Sequence, residues 1–228
     1  MRPVPPAPTA IPASARTAAL LAVGGGSAFL LLLASLHLLR PDLDPTWRVI
    51  SEYELGPYGW LMRLAFGALA LTTATLGVAS YTQVRTRGGY LGLILLALSA
   101  LGMILAGLFE TDPVTVAAEA RSSDGRLHEL GAMLDSIPFA APLISYSMTR
   151  GRSTQGGARW LRYLAWLPLL GTIVFVAALA RMLPAHGGAF GPEVLIGVPN
   201  RLMIATHCVW LLLAAAYLLR LPAPTSSP

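Results

Sequence analysis

Six long apolar runs alternate with short polar segments along the 228 residues. They cover about Thr17–Leu39, Tyr58–Val84, Gly89–Phe109, Leu127–Met148, Trp160–Leu183 and Leu202–Leu219. Each comes close to the roughly 20 residues that cross the hydrocarbon of a bilayer. A backbone in lipid must satisfy its own N–H and C=O groups, so the runs predict helices rather than strands. The expected fold is an all-α, polytopic six-helix transmembrane bundle of three hairpins. The first run is too long for a secretory signal, and no small-residue cleavage site follows it before Arg40, so it reads as an uncleaved span. Pro138, Pro142 and Pro168 fall inside runs and predict kinks. Residues 1–16 read as a disordered Pro/Ala-rich tail, 17–220 as one transmembrane domain and 221–228 as a second disordered tail.

Composition agrees with this picture. The chain is 55% hydrophobic and 12% charged, with a mean hydropathy of +0.63. A soluble domain of this size cannot hide so much apolar surface. All sixteen cations are arginine, and the net charge is +5. These arginines sit near the ends of the runs, so the expected partner is membrane lipid and not nucleic acid. Cys208, the one cysteine, lies inside the last run and reads as a buried thiol with no partner in the chain.

Charge is partitioned along the chain. All eleven acidic residues and all four histidines lie in or beside three alternate segments, Arg40–Pro57, Glu110–Arg126 and Pro184–Arg201. The opposite ends of the runs receive Arg2, Arg16, Arg85, Arg87, Arg150, Arg152, Arg159, Arg162 and Arg220, and no carboxylate. The positive-inside rule makes that arginine side cytoplasmic, with both termini, and puts the polar segments outside a plasma membrane.

Candidate chemistry therefore gathers on the polar side. Three returning runs begin alike, at GPYGWLMR (Gly56–Arg63), DGRLHELGAMLD (Asp124–Asp135) and VPNRLMIATH (Val198–His207). Each puts an arginine in its first turns, where free N–H groups and the helix dipole favour an anion such as a lipid phosphate or carboxylate. Arg63, Arg126 and Arg201, with Arg48, Ser51 and Glu52 of the loop PTWRVISEYELG, are the candidate substrate-binding residues. The plainer reading is snorkelling to bulk headgroups. Arg63 lies deepest and calls for a carboxylate partner from Glu52, Glu54 or Glu110.

His128, Asp135, Glu110 and Asp112 are the candidates for acid–base catalysis. His128 and Asp135 are seven residues apart, which on one helix is two turns and about 10 Å along a shared face. His37, His128 and His207 fall in one layer below the polar surface. Together they would suit zinc, although no compact ligand spacing is present. Two of them on facing helices would instead suit haem. His186, in a glycine-rich loop, reads as solvated. Trp47 and Trp60 read as an interfacial aromatic belt and Trp210 as bundle packing.

Four stretches carry a resemblance: Pro45–Phe66, Gly107–Pro113, Leu127–Met148 and Val198–Leu212. With Ile50, Ser51, Glu52 and Gly56, the acidic turn at Glu110 and Asp112, and His128 opening the fourth run, the chain resembles the domain-of-unknown-function nine-nine-eight family of multi-pass membrane proteins of bacteria and archaea. The resemblance implies a bundle of six to seven helices and leaves activity unstated. A looser similarity is to intramembrane zinc hydrolases of lipid amides, whose paired histidines in the last helix are here reduced to His207. Three functions stay open: an enzyme processing an anionic lipid, with or without zinc; a non-enzymatic lipid-binding, transport or accessory protein; and a haem b electron carrier.

Overall fold

The computed structural model describes residues 10–151 and 156–224, and within them it is all-helical, with no strand. Helices α1 (Ala13–Leu39), α2 (Gly59–Tyr81) and α3 (Arg87–Leu108) match the first three runs within a few residues. The last run becomes α8 (Gly197–Leu219). The fourth run is divided into α4 (Ser123–Met133) and α5 (Ile137–Thr149), and the fifth into α6 (Gly156–Leu164) and α7 (Leu167–Ala185). Among the described residues five helical segments are long and apolar enough to cross a membrane: α1, α2, α3, the α6–α7 stretch and α8. The sixth expected span, Leu127–Met148, is not one helix.

The break between α4 and α5 has a local cause. Pro138 lacks an N–H and occupies the second position of α5, so it starts that helix instead of kinking a longer one. The backbone groups freed at the break are satisfied by side chains. Ser136 N donates to Ser99 Oγ at 2.7 Å, Ile137 N donates to Asp135 Oδ1 at 3.2 Å, and Leu134 O accepts from Ser136 Oγ at 3.0 Å. Pro168 likewise sits in the first turn of α7, while Pro142 lies inside α5, as Pro184 does near the end of α7.

Side-chain-poor contacts bring the helices together, as expected where lipid removes the hydrophobic drive between them. The clearest case joins α3 to α4. A Cβ on Gly131 would lie 2.6 Å from Gly102 O, and one on Gly102 would strike Gly131 O. Helix α1 packs on α2 and α8, α3 packs on α2, α4 and α5, and Trp210 of α8 is fully buried and donates to Ser145 Oγ at 2.9 Å. Cys208 is buried, as its position in the run suggests.

Both described ends of the chain meet. Ile11 N donates to Pro222 O at 2.9 Å, Ile11 and Leu221 are buried, and Arg16 donates to Leu219 O at 3.2 Å. Order therefore begins at least six residues before Thr17, with helix from Ala13. The remainder of both expected tails, residues 1–9 and 225–228, lies outside the described residues, as does Arg152. Helix α7 is the peripheral element: only Pro168 and Gly171 are buried, and α7 packs mainly on α8.

Candidate functional site

The loop after α1 builds the polar end. Arg40 is nearly buried, pairs with Asp42 at 2.7 Å, and donates to the Leu55 and Pro57 carbonyls, which ties both ends of the loop together. The Arg40 guanidinium holds the Asp42 carboxyl below its ordinary range, and Thr46 does the same for Asp44 by donating two hydrogen bonds. Within the loop a 3₁₀ turn, Ile50–Glu54, carries two carboxylates inward. Gly56 and Tyr58 both take positive φ before α2, and Gly59 rests so closely on Glu54 O that no side chain fits there.

Glu52 and Glu54 are almost wholly buried. Glu52 pairs with Arg48 at 2.6 Å and accepts from Val114 N at 2.9 Å. Glu54 Oε2 accepts from Thr111 N at 3.0 Å and lies 3.2 Å from His128 Nδ1, while Glu54 Oε1 is buried without a partner. His128 Nδ1 also lies 3.0 Å from the carbonyls of Ala106 and Phe109. All three neighbours are acceptors, so Nδ1 carries the hydrogen. Phe66 packs against the ring edge at 5.6 Å. The nitrogen left over is Nε2.

A cavity of about 510 Å³ opens beside His128, between α4, α7, the start of α8 and the polar loops. This falls within the range of small-molecule pockets, about 300–1,000 Å³. Its polar wall includes Ser51, Thr111, Asp112, Arg121, His128, Glu129, Asp135, Thr172 and Asn200. Its apolar wall includes Ala132, Met133, Phe175, Val176, Leu179 and Met203. Helices α4 and α7 barely touch across it. At this gap Met133 is 71% exposed and Val176 53%, so the cavity is open on the flank of the bundle.

The expected site residues divide sharply on this geometry. His128, Asp135, Asp112 and Ser51 line the cavity together. Glu110 does not; it pairs with Arg63 at 2.6 Å and is the partner that Arg63 required. Arg48, Glu52, Arg63, Arg126 and Arg201 do not line the cavity either. Arg201 is a clamp: it donates to His37 Nε2 at 2.8 Å, to the carbonyls of Arg48 and Gly197, and to Tyr53 Oη at 3.2 Å. Arg126 is exposed and makes no ion pair among the described residues. Of the arginines expected at an anion, Arg48, Arg63 and Arg201 are held by separate partners, and Arg126 has none among the described residues.

Asp135 also departs from expectation. The break at Leu134–Ser136 takes it off the helix of His128, and it faces His207 instead, with Asp135 Oδ2 3.2 Å from His207 Nε2 but off the hydrogen-bond line. His207 Nδ1 is held by Met203 O. His37 donates from Nδ1 to Leu33 O at 2.7 Å and accepts from Arg201 at Nε2, so both its nitrogens are engaged. His37, His128 and His207 are therefore not brought to one point. Among the described residues no group of three or more His, Cys, Asp or Glu side chains stands ready for a metal ion. A haem ligated through His37 would first have to break the Arg201 contact.

Sequence reasoning missed Glu54 as the partner of His128, and Arg121, Glu129, Thr172 and Asn200 as cavity walls. The spacing of acids in the 3₁₀ turn pointed inward only in retrospect, because a loop has no fixed periodicity.

No curated protein and no solved structure matches the chain. A family described as protein of unknown function (DUF998) matches residues 16–217, the whole stretch from α1 to nearly the end of α8. By that match the chain belongs to the DUF998 family.

Proposed function

We propose that this protein binds an amphiphile in the cavity between α4 and α7, the head against the polar wall and the tail leaving through the gap into the membrane. One observation carries this reading: a mainly apolar cavity with one polar wall, whose apolar side is open on the flank of an apolar bundle. A soluble metabolite would need an opening toward water, whereas a lipid-like molecule needs this lateral one. Equilibrium binding of a fluorescent single-chain amphiphile to the protein in nanodiscs tests it. Val176→Trp, which fills the mouth, should abolish saturable binding, and Ile94→Trp, on the exposed face of α3, should leave it intact. Equal binding by both variants would defeat the proposal.

A second reading adds chemistry to binding. His128 has its Nδ1 hydrogen fixed by Glu54 and two carbonyls, and its Nε2 belongs to a residue that lines the cavity. A base oriented by a second group is the arrangement of acid–base catalysis. On this reading His128→Gln removes turnover of the bound amphiphile while leaving its Kd within about twofold, a split that a purely structural histidine would not produce.

The charge partition further supports a placement of the arginine end, with both termini, in the cytoplasm, and of the cavity at the outer leaflet of the cell membrane.

A further inference from the structure

We propose that the head of the amphiphile is positively charged and donates hydrogen bonds, as a primary ammonium does, and is not the anionic head that a chain rich in arginine suggests. This rests on the reading of the cavity as an amphiphile site. The wall holds three carboxylates, Asp112, Glu129 and Asp135, against one arginine, Arg121. That arginine is spent in a direct ion pair with Glu129. An anionic head would meet no free cation there.

What remains free on the wall mostly accepts. His128 is 5% exposed, and its Nδ1 hydrogen is committed to Glu54 and two carbonyls, so only Nε2 remains for a neighbour. Asp135 uses Oδ1 on Ile137 N, and its Oδ2 meets only the poorly aligned His207. Asp112 uses Oδ2 on Ser122 at the start of α4, which leaves Oδ1. Asn200 Oδ1 already accepts from Ile50 N, which leaves its amide N–H₂ as an open donor beside the hydroxyls of Ser51 and Thr172, while the Thr111 hydroxyl donates to Asp112 O. The charged groups facing the head from α4, α7, α8 and the loops are therefore acidic or already neutralised. A cation with several N–H groups matches the two carboxylates, Asp112 and Asp135, at once.

The test is competition against the fluorescent amphiphile in nanodiscs by three molecules with one dodecyl tail: dodecylamine, dodecyl phosphate and dodecyl maltoside. The amine should bind about tenfold to a hundredfold more tightly than the phosphate, the size of one charge-assisted hydrogen bond. Asp135→Asn keeps the oxygen that accepts from Ile137 and should erase most of that preference. Asp112→Asn, which likewise keeps its acceptor for Ser122, should reduce it. If phosphate or maltoside binds as well as the amine and Val176→Trp blocks both, the charge assignment is overturned while the cavity reading stands. If no competitor acts in a manner sensitive to Val176→Trp, both are overturned.

Discussion

Glu54, buried, and Arg201, half-buried, show how ionic side chains do structural work that no local motif announces. Glu54→Ala leaves the Thr111 N–H, and the hydrogen on His128, without their carboxylate acceptor. An orphaned donor costs about 1–3 kcal/mol, so the variant should lose that much in a denaturation series, while the carbonyls of Ala106 and Phe109 still hold the His128 hydrogen. The arginines give a sharper contrast. Arg201→Ala removes hydrogen bonds to four groups drawn from α1, the first loop and α8 itself, and should lower the thermal midpoint by several degrees. Arg126→Ala, exposed and unpaired, should stay within about 0.5 kcal/mol of the parent. Side-by-side thermal scans check both, and equal effects would contradict this division of labour. In the sequence Arg63, Arg126 and Arg201 look alike, each in the first turns of a returning run. What separates them is partners 47 and 164 residues away, Glu110 and His37, and one chain without its relatives carries no record of such distances. The polar residues were legible as a set; their pairings were not.

At the scale of elements, helix existence was readable and helix continuity was not. An apolar run of about 20 residues fixes a membrane-crossing length, and α1, α2, α3 and α8 follow it. The division of the fourth run turns on Asp135, Ser136 and Pro138. An acid and a serine just ahead of a proline mark a helix start, yet inside a long apolar run they read as a kink. Packing across the break is tight. Gly131→Val would force a branched side chain against the α3 backbone and should cost about 1–3 kcal/mol, with loss of the α3–α4 contact. The first loop gives a pH prediction. The Asp42 carboxyl is held below its ordinary value by Arg40, so its contribution to stability is present above the ordinary carboxylate pKa, about 3.9, and is lost as pH falls through the lower folded value. The stability difference between the parent and Asp42→Asn should be flat from neutral pH down to the ordinary carboxylate range and close only below it. A gap that closes near neutral pH would show that the clip is not ionic.

The whole molecule is polarised: arginines without carboxylates at one end, carboxylates and histidines at the other. The expected consequence is orientation. In a Cys208→Ser background, a membrane-impermeant maleimide should label Ser123→Cys on intact cells and Thr82→Cys only after permeabilisation; the reverse would invert the assignment. The cavity could not be read at this scale from the chain, because it arises where α4 and α7 fail to pack, and an absence of contact leaves no periodic mark. It is nonetheless the feature on which the functional account stands. The most direct test is photolabelling of the nanodisc-embedded protein with a single-chain amphiphile bearing a diazirine in its tail, followed by peptide mapping. The account predicts saturable labels on Ala132 and Met133 of α4 and on Phe175, Val176 and Leu179 of α7. Labels spread evenly over the exposed faces of α2 and α3, with none that saturate at the α4–α7 gap, would contradict it.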